Sequence, residues 1–289
     1  MSSTLINFGL ILFVILTWGY TWVLMKESLR FMGPLTFVGF RFMIAALTLV
    51  PISLWKNSNR TVDYKFLDYL LVGIFQTVAT FGLVIFGLKY VTAGKSSVFL
   101  YTMPVWTAFL VHFLLREKLS GSKWIGVFLG FAGIFFIMGW DTISTQSMDV
   151  LFGEMLIIGA AISWAIANII MKKRLVGQKP YTVTGFQTLF GSIILVVLAT
   201  FFEGFLNIRI TPYSLYILLF SGVISSAVNF SIWFYLIGNM DINIPTFSSM
   251  LVPVFGLIFD WMLLGTRLDI GVIVGGILIL FGIYRVSKS

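Results

Sequence analysis

Residues 17–29 read TWGYTWVLMKESL, and residues 163–175 read SWAIANIIMKKRL. A tryptophan, a methionine and a lysine of the first stretch recur in the second at a constant offset of 146 positions. The same offset matches PLTFVGFR, which begins at Pro34, to PYTVTGFQ, which begins at Pro180. Stretches that keep one spacing predict that the chain contains two copies of one structural unit.

The repeat continues to the end of each copy, where a small insertion raises the offset to 149. There LLREKLSGSKWIGVFLGFAGI at residues 114–134 matches LLGTRLDIGVIVGGILILFGI at residues 263–283. The match predicts two units, one at residues 1–140 and the other at residues 150–289.

Apolar segments separated by short polar breaks run along the whole chain of 289 residues. The chain is 59% hydrophobic and 10% charged, with a mean hydropathy of +1.01, whereas soluble domains carry roughly 25% charged residues. A helix of about 20 apolar residues crosses a membrane, so the pattern excludes a soluble protein. Ten spans are predicted at residues 5–25, 34–54, 66–88, 92–114, 123–140, 150–171, 182–202, 213–236, 243–264 and 270–286.

Each unit therefore has five spans, an odd number, and the second unit must cross the membrane in the opposite sense to the first. Inverted repeats are typical of secondary transporters, whose substrate sites lie near the membrane midplane between the repeats. The predicted fold is an all-α polytopic membrane protein with ten transmembrane helices arranged as two inverted five-helix repeats.

Basic residues are shared unevenly between the two sides of the predicted bundle. If the N-terminus is cytoplasmic, the loops on that side carry twelve Lys and Arg, and the opposite loops carry six. Cytoplasmic loops are enriched in Lys and Arg. The distribution favours a multi-pass protein of a bacterial plasma (inner) membrane with both termini in the cytoplasm.

Pro104 and Pro253 stand at matching positions in the fourth and ninth predicted spans. Proline inside a helix removes a backbone hydrogen bond, and in lipid the freed carbonyl needs a partner from protein or from a wet cavity. Interrupted spans at matching positions of two repeats are the best sequence indication of a transporter's binding site. We therefore expect both prolines to bend their helices beside a central cavity, the alternative being kinks that serve packing alone.

Arg41 is the most informative charge, because it falls well inside the second predicted span. A charge at membrane depth is costly and usually faces a cavity or a partner. A guanidinium can bind a carboxylate through two parallel hydrogen bonds. The alternatives are that the side chain reaches outward to the interface or pairs with an acid, either Glu154 or Asp260.

Aromatic and polar side chains near mid-span complete the predicted substrate-binding set. Trp18, Trp106, Trp164 and Trp233 could wall a pocket, although single aromatic residues in spans often face lipid or anchor the interface. Trp18 and Trp164 are preferred because the repeat matches them. The polar candidates are Gln76, Tyr101, Asn168, Gln187, Asn229 and Ser249. They join Arg41, Pro104 and Pro253 in the set.

Glycines four positions apart occur in the fifth and tenth predicted spans, at Gly126 and Gly130 and at Gly271 and Gly275. Small residues let helix backbones approach closely in lipid. The pairs indicate either packing within one bundle or the contact of a possible homodimer.

Several classes of chemistry are excluded. The chain has no cysteine, so disulfides and thiolate sites are ruled out. AGKSS at residues 93–97 ends like a phosphate-binding loop, but Lys89 stands where that pattern requires glycine. The sequence shows no paired acids, Ser–His set or metal cluster of an enzyme. We expect no cofactor, no metal and no nucleic acid. The expected partners are a small-molecule substrate, the lipid bilayer and, as a possibility, a second copy in a homodimer.

Four features carry a likeness to a known family: WGYTWVLMK in the first span, Arg41 in the second, Pro104 in the fourth, and LLREKLSGSKWIG leading into the fifth. Together with the tandem five-helix units, they resemble the EamA-type branch of the drug/metabolite transporter superfamily over nearly the whole chain. The resemblance implies a secondary transporter that works by alternating access and exports amino acids, other small metabolites or drug-like solutes. The alternative is a lipid-handling, flippase-like protein, which would need the same fold with a cavity open to the bilayer.

Overall fold

The structure, a computed structural model, describes most of the chain. The described residues are 3–57, 65–115, 120–138, 147–175, 177–204, 208–239, 248–249, 251–267 and 269–288. The predicted unit boundary at residue 140 and the predicted start of the ninth span at residue 243 lie outside these residues.

The described part of the chain forms ten helical spans in the predicted order. In the first unit these are α1 (Ser3–Ser28), α2 (Pro34–Asn57), α3 (Phe66–Val72, continued by Gly73–Thr80 and Phe81–Gly87), α4 (Ala93–Leu100, then Met103–Leu115) and α5 (Gly121–Met138). In the second they are α6 (Met148–Arg174), α7 (Pro180–Phe202), α8 (Pro212–Leu219, continued by Phe220–Val228 and Asn229–Asn239), α9 (Val252–Leu264) and α10 (Ile270–Lys288). Among them α1, α2, α3, α6, α7 and α8 are each long and apolar enough to cross a membrane.

The fourth predicted span is broken in the structure. Its first segment ends at Leu100, residues 101–102 form a turn, and the second segment begins at Met103. Pro104 therefore lies in the first turn of a new helix, where a missing N–H leaves no hydrogen bond unmade. Pro253 lies in the first turn of α9 in the same way. The predicted proline bends are thus helix starts, and the expected loss of a hydrogen bond inside a helix does not arise.

The two units are joined where α2 runs beside α7. Glu203, at the end of α7, accepts hydrogen bonds from the backbone nitrogens of Leu35 (2.7 Å) and Thr36 (2.9 Å) and from the Thr36 hydroxyl (2.8 Å). A carboxylate is stabilised at a helix N-terminus because the first N–H groups have no partner within the helix. The start of α2 is therefore capped by the other unit.

The second extensive contact between the units is that of α5 with α10. A Cβ on Gly133 would lie 2.6 Å from the Gly275 carbonyl oxygen, and one on Gly275 would lie 2.5 Å from the Gly133 carbonyl oxygen. A Cβ on Gly282 would lie 2.6 Å from the carbonyl oxygen of Gly126 and 2.9 Å from the nitrogen of Gly130. These glycines bring two backbones of one chain together, which is the packing interpretation of the glycine pairs.

A π-helical segment interrupts α3 at Gly73–Thr80, and another interrupts α8 at Phe220–Val228. The segments overlap when the repeat offset of 149 is applied. Short π turns inside α-helices occur frequently at functional sites. Each segment crosses the second helix of the opposite unit, α3 against α7 and α8 against α2.

Buried polar contacts also join the units near the start of α4. Lys95 forms an ion pair with Glu154 of α6, whose side chain is fully buried. The carboxylate of Asp260 in α9, a residue that is 1% exposed, accepts hydrogen bonds from the Gly94 nitrogen (2.9 Å) and the Thr266 hydroxyl (3.2 Å). Both acids are therefore engaged by partners within the fold.

Candidate functional site

A cavity of about 270 Å³ lies between the two units. It is bordered by residues of α1, α2, α3, α4, α6, α7 and α8 and by Ser249, just before α9. Eight of the eleven residues predicted for the substrate site line it: Trp18, Arg41, Gln76, Tyr101, Trp164, Asn168, Gln187 and Ser249. They come from both units, as the inverted repeat predicts for a central site.

The Arg41 side chain borders this cavity with only 4% of its surface exposed. Its Nε donates to the Ser226 hydroxyl at 3.1 Å, and its Nη2 lies 3.3 Å from the Ser225 hydroxyl. The centre of the guanidinium is 5.1 Å from the Phe42 ring and 5.2 Å from the Phe81 ring. Hydroxyls and aromatic faces stabilise a cation, but they do not neutralise it.

No acid among the described residues pairs with Arg41, and both acids considered from the sequence are engaged elsewhere. Glu154 is paired with Lys95, and Asp260 caps the start of α4. The alternative that Arg41 pairs with one of these two acids is therefore contradicted by the structure. A buried positive charge without a counter-charge is strongly disfavoured, so this cavity is electrostatically suited to an anion.

Aromatic rings form two repeat-related pairs on the cavity wall. The Trp18 ring is 5.8 Å from that of Phe230, and the Trp164 ring is 5.8 Å from that of Phe81. Trp164 follows Trp18 by 146 positions and Phe230 follows Phe81 by 149, the two offsets of the repeat. The Trp18 ring also lies 5.6 Å from that of Trp233. This wall can pack against the apolar part of a ligand.

Gln76 and Gln187 line the cavity as well, with 6% and 3% of their surfaces exposed. The Oε1 atom of each is buried and has no hydrogen-bond partner. Native structures rarely leave such an acceptor without a partner unless water, an ion or a ligand supplies a donor.

Three predicted residues, Pro104, Asn229 and Pro253, do not line the cavity. Asn229 is fully buried and exchanges hydrogen bonds with the Thr17 hydroxyl at 2.8 and 3.1 Å, so its amide joins α8 to α1. The two prolines begin helical segments, and the residues just before them, Tyr101 and Ser249, reach the cavity instead.

Other residues on the wall were not singled out from the sequence. They are Thr21, Trp22, Met25, Phe81, Leu100, Met103, Met171, Thr184, Ser225 and Phe230. Trp233, a wall candidate outside the predicted set, lines the cavity too. The repeat carried a usable signal, because the offset of 149 takes Phe81 to Phe230 and Gln76 to Ser225. Apolar and small side chains otherwise look the same in a lipid-facing position as in a cavity wall.

The chemistry of the site is that of recognition. Among the described residues no group of His, Cys, Asp and Glu could bind a metal ion. The cavity combines a buried cation, hydrogen-bond acceptors and aromatic rings, which is a combination that binds a small polar solute.

Comparisons with known proteins agree with this architecture. Residues 6–139 and 151–288 each match the EamA-like transporter family. The uncharacterized transporter YoaV of Bacillus subtilis is 31% identical over 275 residues, covering 95% of this chain and 94% of its own. A probable amino-acid metabolite efflux pump of Escherichia coli is 28% identical over 293 residues, covering 95% and 92%. A crystal structure of a protein 18% identical in sequence, covering 100% of this chain and 98% of its own with a TM-score of 0.66, shows the same fold.

The two family matches correspond to the duplicated halves seen in the sequence, and the relatives align over almost their whole lengths. Transport, and not catalysis, is what this architecture serves. The chain belongs to the EamA-like transporter family and is a multi-pass membrane transporter of the drug/metabolite transporter superfamily.

Proposed function

We propose that this transporter exports small metabolites that carry a carboxylate, amino acids first among them, across a bacterial plasma membrane. The observation that carries the proposal is Arg41, a buried guanidinium that borders the central cavity and has no acid partner among the described residues. A substrate carboxylate would supply the missing counter-charge and could accept two parallel hydrogen bonds.

The size of the cavity supports a small solute. Its volume is about 270 Å³, below the range of roughly 300–1,000 Å³ that is typical of pockets for drug-sized ligands. The similar Escherichia coli protein is described as a probable amino-acid metabolite efflux pump, which also favours this substrate class. Drug-like solutes, which the sequence analysis also considered, are less favoured because the cavity is small.

Alternating access of the two inverted halves is the proposed mechanism. The units, taken at residues 1–140 and 150–289, would rock about the central cavity, and contacts between them would open and close in turn. The Lys95–Glu154 ion pair is one such contact. The proposed orientation has both termini in the cytoplasm, which the excess of basic residues in the loops on that side supports. A homodimer is not required, because the cavity is bordered by a single chain.

Reconstitution into liposomes tests the proposal. Vesicles loaded with an unlabelled L-amino acid are diluted into buffer that contains the same amino acid in tritiated form, and uptake by exchange is followed for each of a panel. We expect exchange of at least one amino acid, against none in liposomes of the same lipid without protein. The panel also includes amines and neutral sugars, for which we expect no exchange.

The lipid-handling alternative predicts a different result in the same vesicles. A fluorescent phospholipid would move between leaflets and become accessible to an external quencher, while no amino acid would exchange. Lipid movement without solute exchange would overturn the proposed function.

A further inference from the structure

We infer that Gln76 and Gln187 form a second recognition point, which accepts hydrogen bonds from the ammonium group of the substrate. Together with Arg41 they would select a zwitterion, with its carboxylate at Arg41 and its ammonium at the two glutamines. This inference rests on the proposed function, because it concerns the same cavity.

The first step is the state of the two amides. Both side chains are more than nine-tenths buried, both border the cavity, and both Oε1 atoms lack a partner. A buried acceptor without a donor destabilises the empty protein. Both residues line the same cavity, so a small turn of either amide would present its oxygen to a donor on the ligand.

The second step is their position relative to Arg41. Gln187 follows Arg41 by the repeat offset of 146, and Ser225 follows Gln76 by the offset of 149. We call Arg41 with Ser225 the arginine crossing, between α2 and α8, and Gln187 with Gln76 the glutamine crossing, between α7 and α3. The repeat relates the two crossings to each other, and residues of both border the same cavity.

The backbone confirms that the crossings are equivalent. A Cβ on Gly222 of α8 would lie 3.0 Å from the Arg41 carbonyl oxygen, and one on Gly73 of α3 would lie 2.7 Å from the Gln187 carbonyl oxygen. Gly222 follows Gly73 by the same offset of 149. The two glycines therefore let the π segments approach the second helix of each unit in the same way.

The third step is chemical. The arginine crossing offers N–H donors and a positive charge, whereas the glutamine crossing offers neutral acceptors. An α-amino acid matches both, since its carboxylate accepts and its ammonium donates through charge-assisted hydrogen bonds. A dicarboxylate would place an acceptor against acceptors, and a monoamine would place a cation beside Arg41. The aromatic pairs lie on the wall of the same cavity and can pack against an apolar side chain.

The experiment compares L-phenylalanine, 3-phenylpropionate, which lacks the ammonium, and 2-phenylethylamine, which lacks the carboxylate. L-Leucine, 4-methylpentanoate and 3-methylbutylamine form a second set. Binding to the full-length protein in detergent is measured by calorimetry. The whole protein is expected to bind at least one of the two amino acids roughly 10- to 100-fold more tightly than its deamino acid, as for a hydrogen bond to a charged group.

Gln76→Met and Gln187→Met remove each acceptor and keep a side chain of similar length. We expect each variant to weaken binding of the amino acid and to leave binding of the deamino acid within about twofold of the original protein. Gln178→Met is the matched control: Gln178 accepts a hydrogen bond from the Tyr69 hydroxyl away from the cavity (2.6 Å), so the preference for the ammonium should not change.

Thermal unfolding of the empty protein supplies a second readout. Because Gln76→Met and Gln187→Met remove buried acceptors that lack partners, both variants should melt at or above the original temperature. A merely structural role would instead lower the melting temperature and reduce the binding of amino acid and deamino acid alike, and that result would overturn the inference.

Failure of this inference can be distinguished from failure of the proposed function. If amino acid and deamino acid bind the original protein equally well, the glutamines do not bind the ammonium and the inference is overturned. Recognition of the carboxylate by Arg41 would still stand. If none of the carboxylates binds while the amines do, the proposed function fails and the inference fails with it. Absence of binding by all six probes overturns the inference for apolar amino acids and leaves the liposome panel to decide the proposed function.

Discussion

At the arginine crossing Gly222 brings α8 onto the Arg41 carbonyl, and at the glutamine crossing Gly73 brings α3 onto the Gln187 carbonyl. The backbones meet in the same way, yet one crossing contributes a buried cation and the other a pair of neutral amides. The comparison shows that the backbones of the two repeats pack symmetrically around the cavity, whereas their side chains make the two crossings chemically different. Substitutions that make the crossings more alike, or more different, can therefore test the site.

Arg41→Gln makes the arginine crossing resemble its repeat partner and should have the largest effect. Loss of a hydrogen-bonded cation opposite a carboxylate removes about 1.5–3 kcal/mol of binding, so kcat/KM for amino-acid exchange in liposomes should fall up to roughly 100-fold. The variant should still fold, because the charge it removes has no acid partner among the described residues. Near-normal exchange by a stable Arg41→Gln protein would leave Arg41 without a role in binding.

Gln187→Arg makes the glutamine crossing resemble the arginine crossing. A second guanidinium would repel the substrate ammonium and offer donors where an acceptor is expected, so amino-acid exchange should fall by roughly tenfold. The ratio of exchange rates for an amino acid and its deamino acid should shift towards the deamino acid. An unchanged ratio would mean that this crossing does not face the substrate. Measuring a ratio on one preparation cancels any loss of folded protein.

Trp18→Phe and Trp164→Phe test whether the aromatic pairs are as equivalent as their positions. The Trp18 Nε1 donates to the Ser225 carbonyl oxygen at 2.9 Å, in the π segment of α8, so Trp18→Phe loses a hydrogen bond as well as ring area. We expect KM to rise about three- to tenfold for Trp18→Phe. The matched Trp164→Phe should raise KM by a smaller factor, and equal effects would show that the hydrogen bond is unimportant.

Pro104→Ala and Pro253→Ala should have the smallest effects. Both prolines begin helical segments, and alanine is accepted in the first turn of a helix, so we expect the stability to change by less than about 1 kcal/mol. Alanine also permits the helix to extend back across the turn, and turnover should slow by roughly twofold with KM unchanged. A strong rise in KM for either variant would require the proline itself to contact substrate.

The number of spans, their order and the duplication could be read from the sequence, because the apolar segments are well separated and the repeat offset changes only once, from 146 to 149. Arg41 could be singled out because a charge inside a predicted span is evident from the sequence. Trp18 and Trp164 could be singled out because the repeat matches them. Their shared place on one cavity is a property of the fold.

What the sequence could not provide was the side-chain pairing. Glu154 and Asp260 lie at suitable depths for Arg41, but which helix face meets which neighbour depends on rotation of the helices, and both acids turn to α4 instead. Asn229 was expected at the site because it is polar, but its amide donates a hydrogen bond to the Thr17 hydroxyl instead. The π segments were also missed, because no residue pattern distinguishes their hydrogen bonds from those of an α-helix.

Each π segment also determines how the rest of its helix is rotated about the helix axis. A π turn contains about one residue more than an α turn, so its conversion to α-helix would turn the rest of the span by about 100° around its axis. In α3 that rotation would carry Phe81, and in α8 it would carry Phe230 and Trp233, away from the positions that they occupy on the wall. The positions of the aromatic rings on the cavity wall therefore depend on the extra residue in the π segment that precedes them, and each half of the molecule contains one such segment.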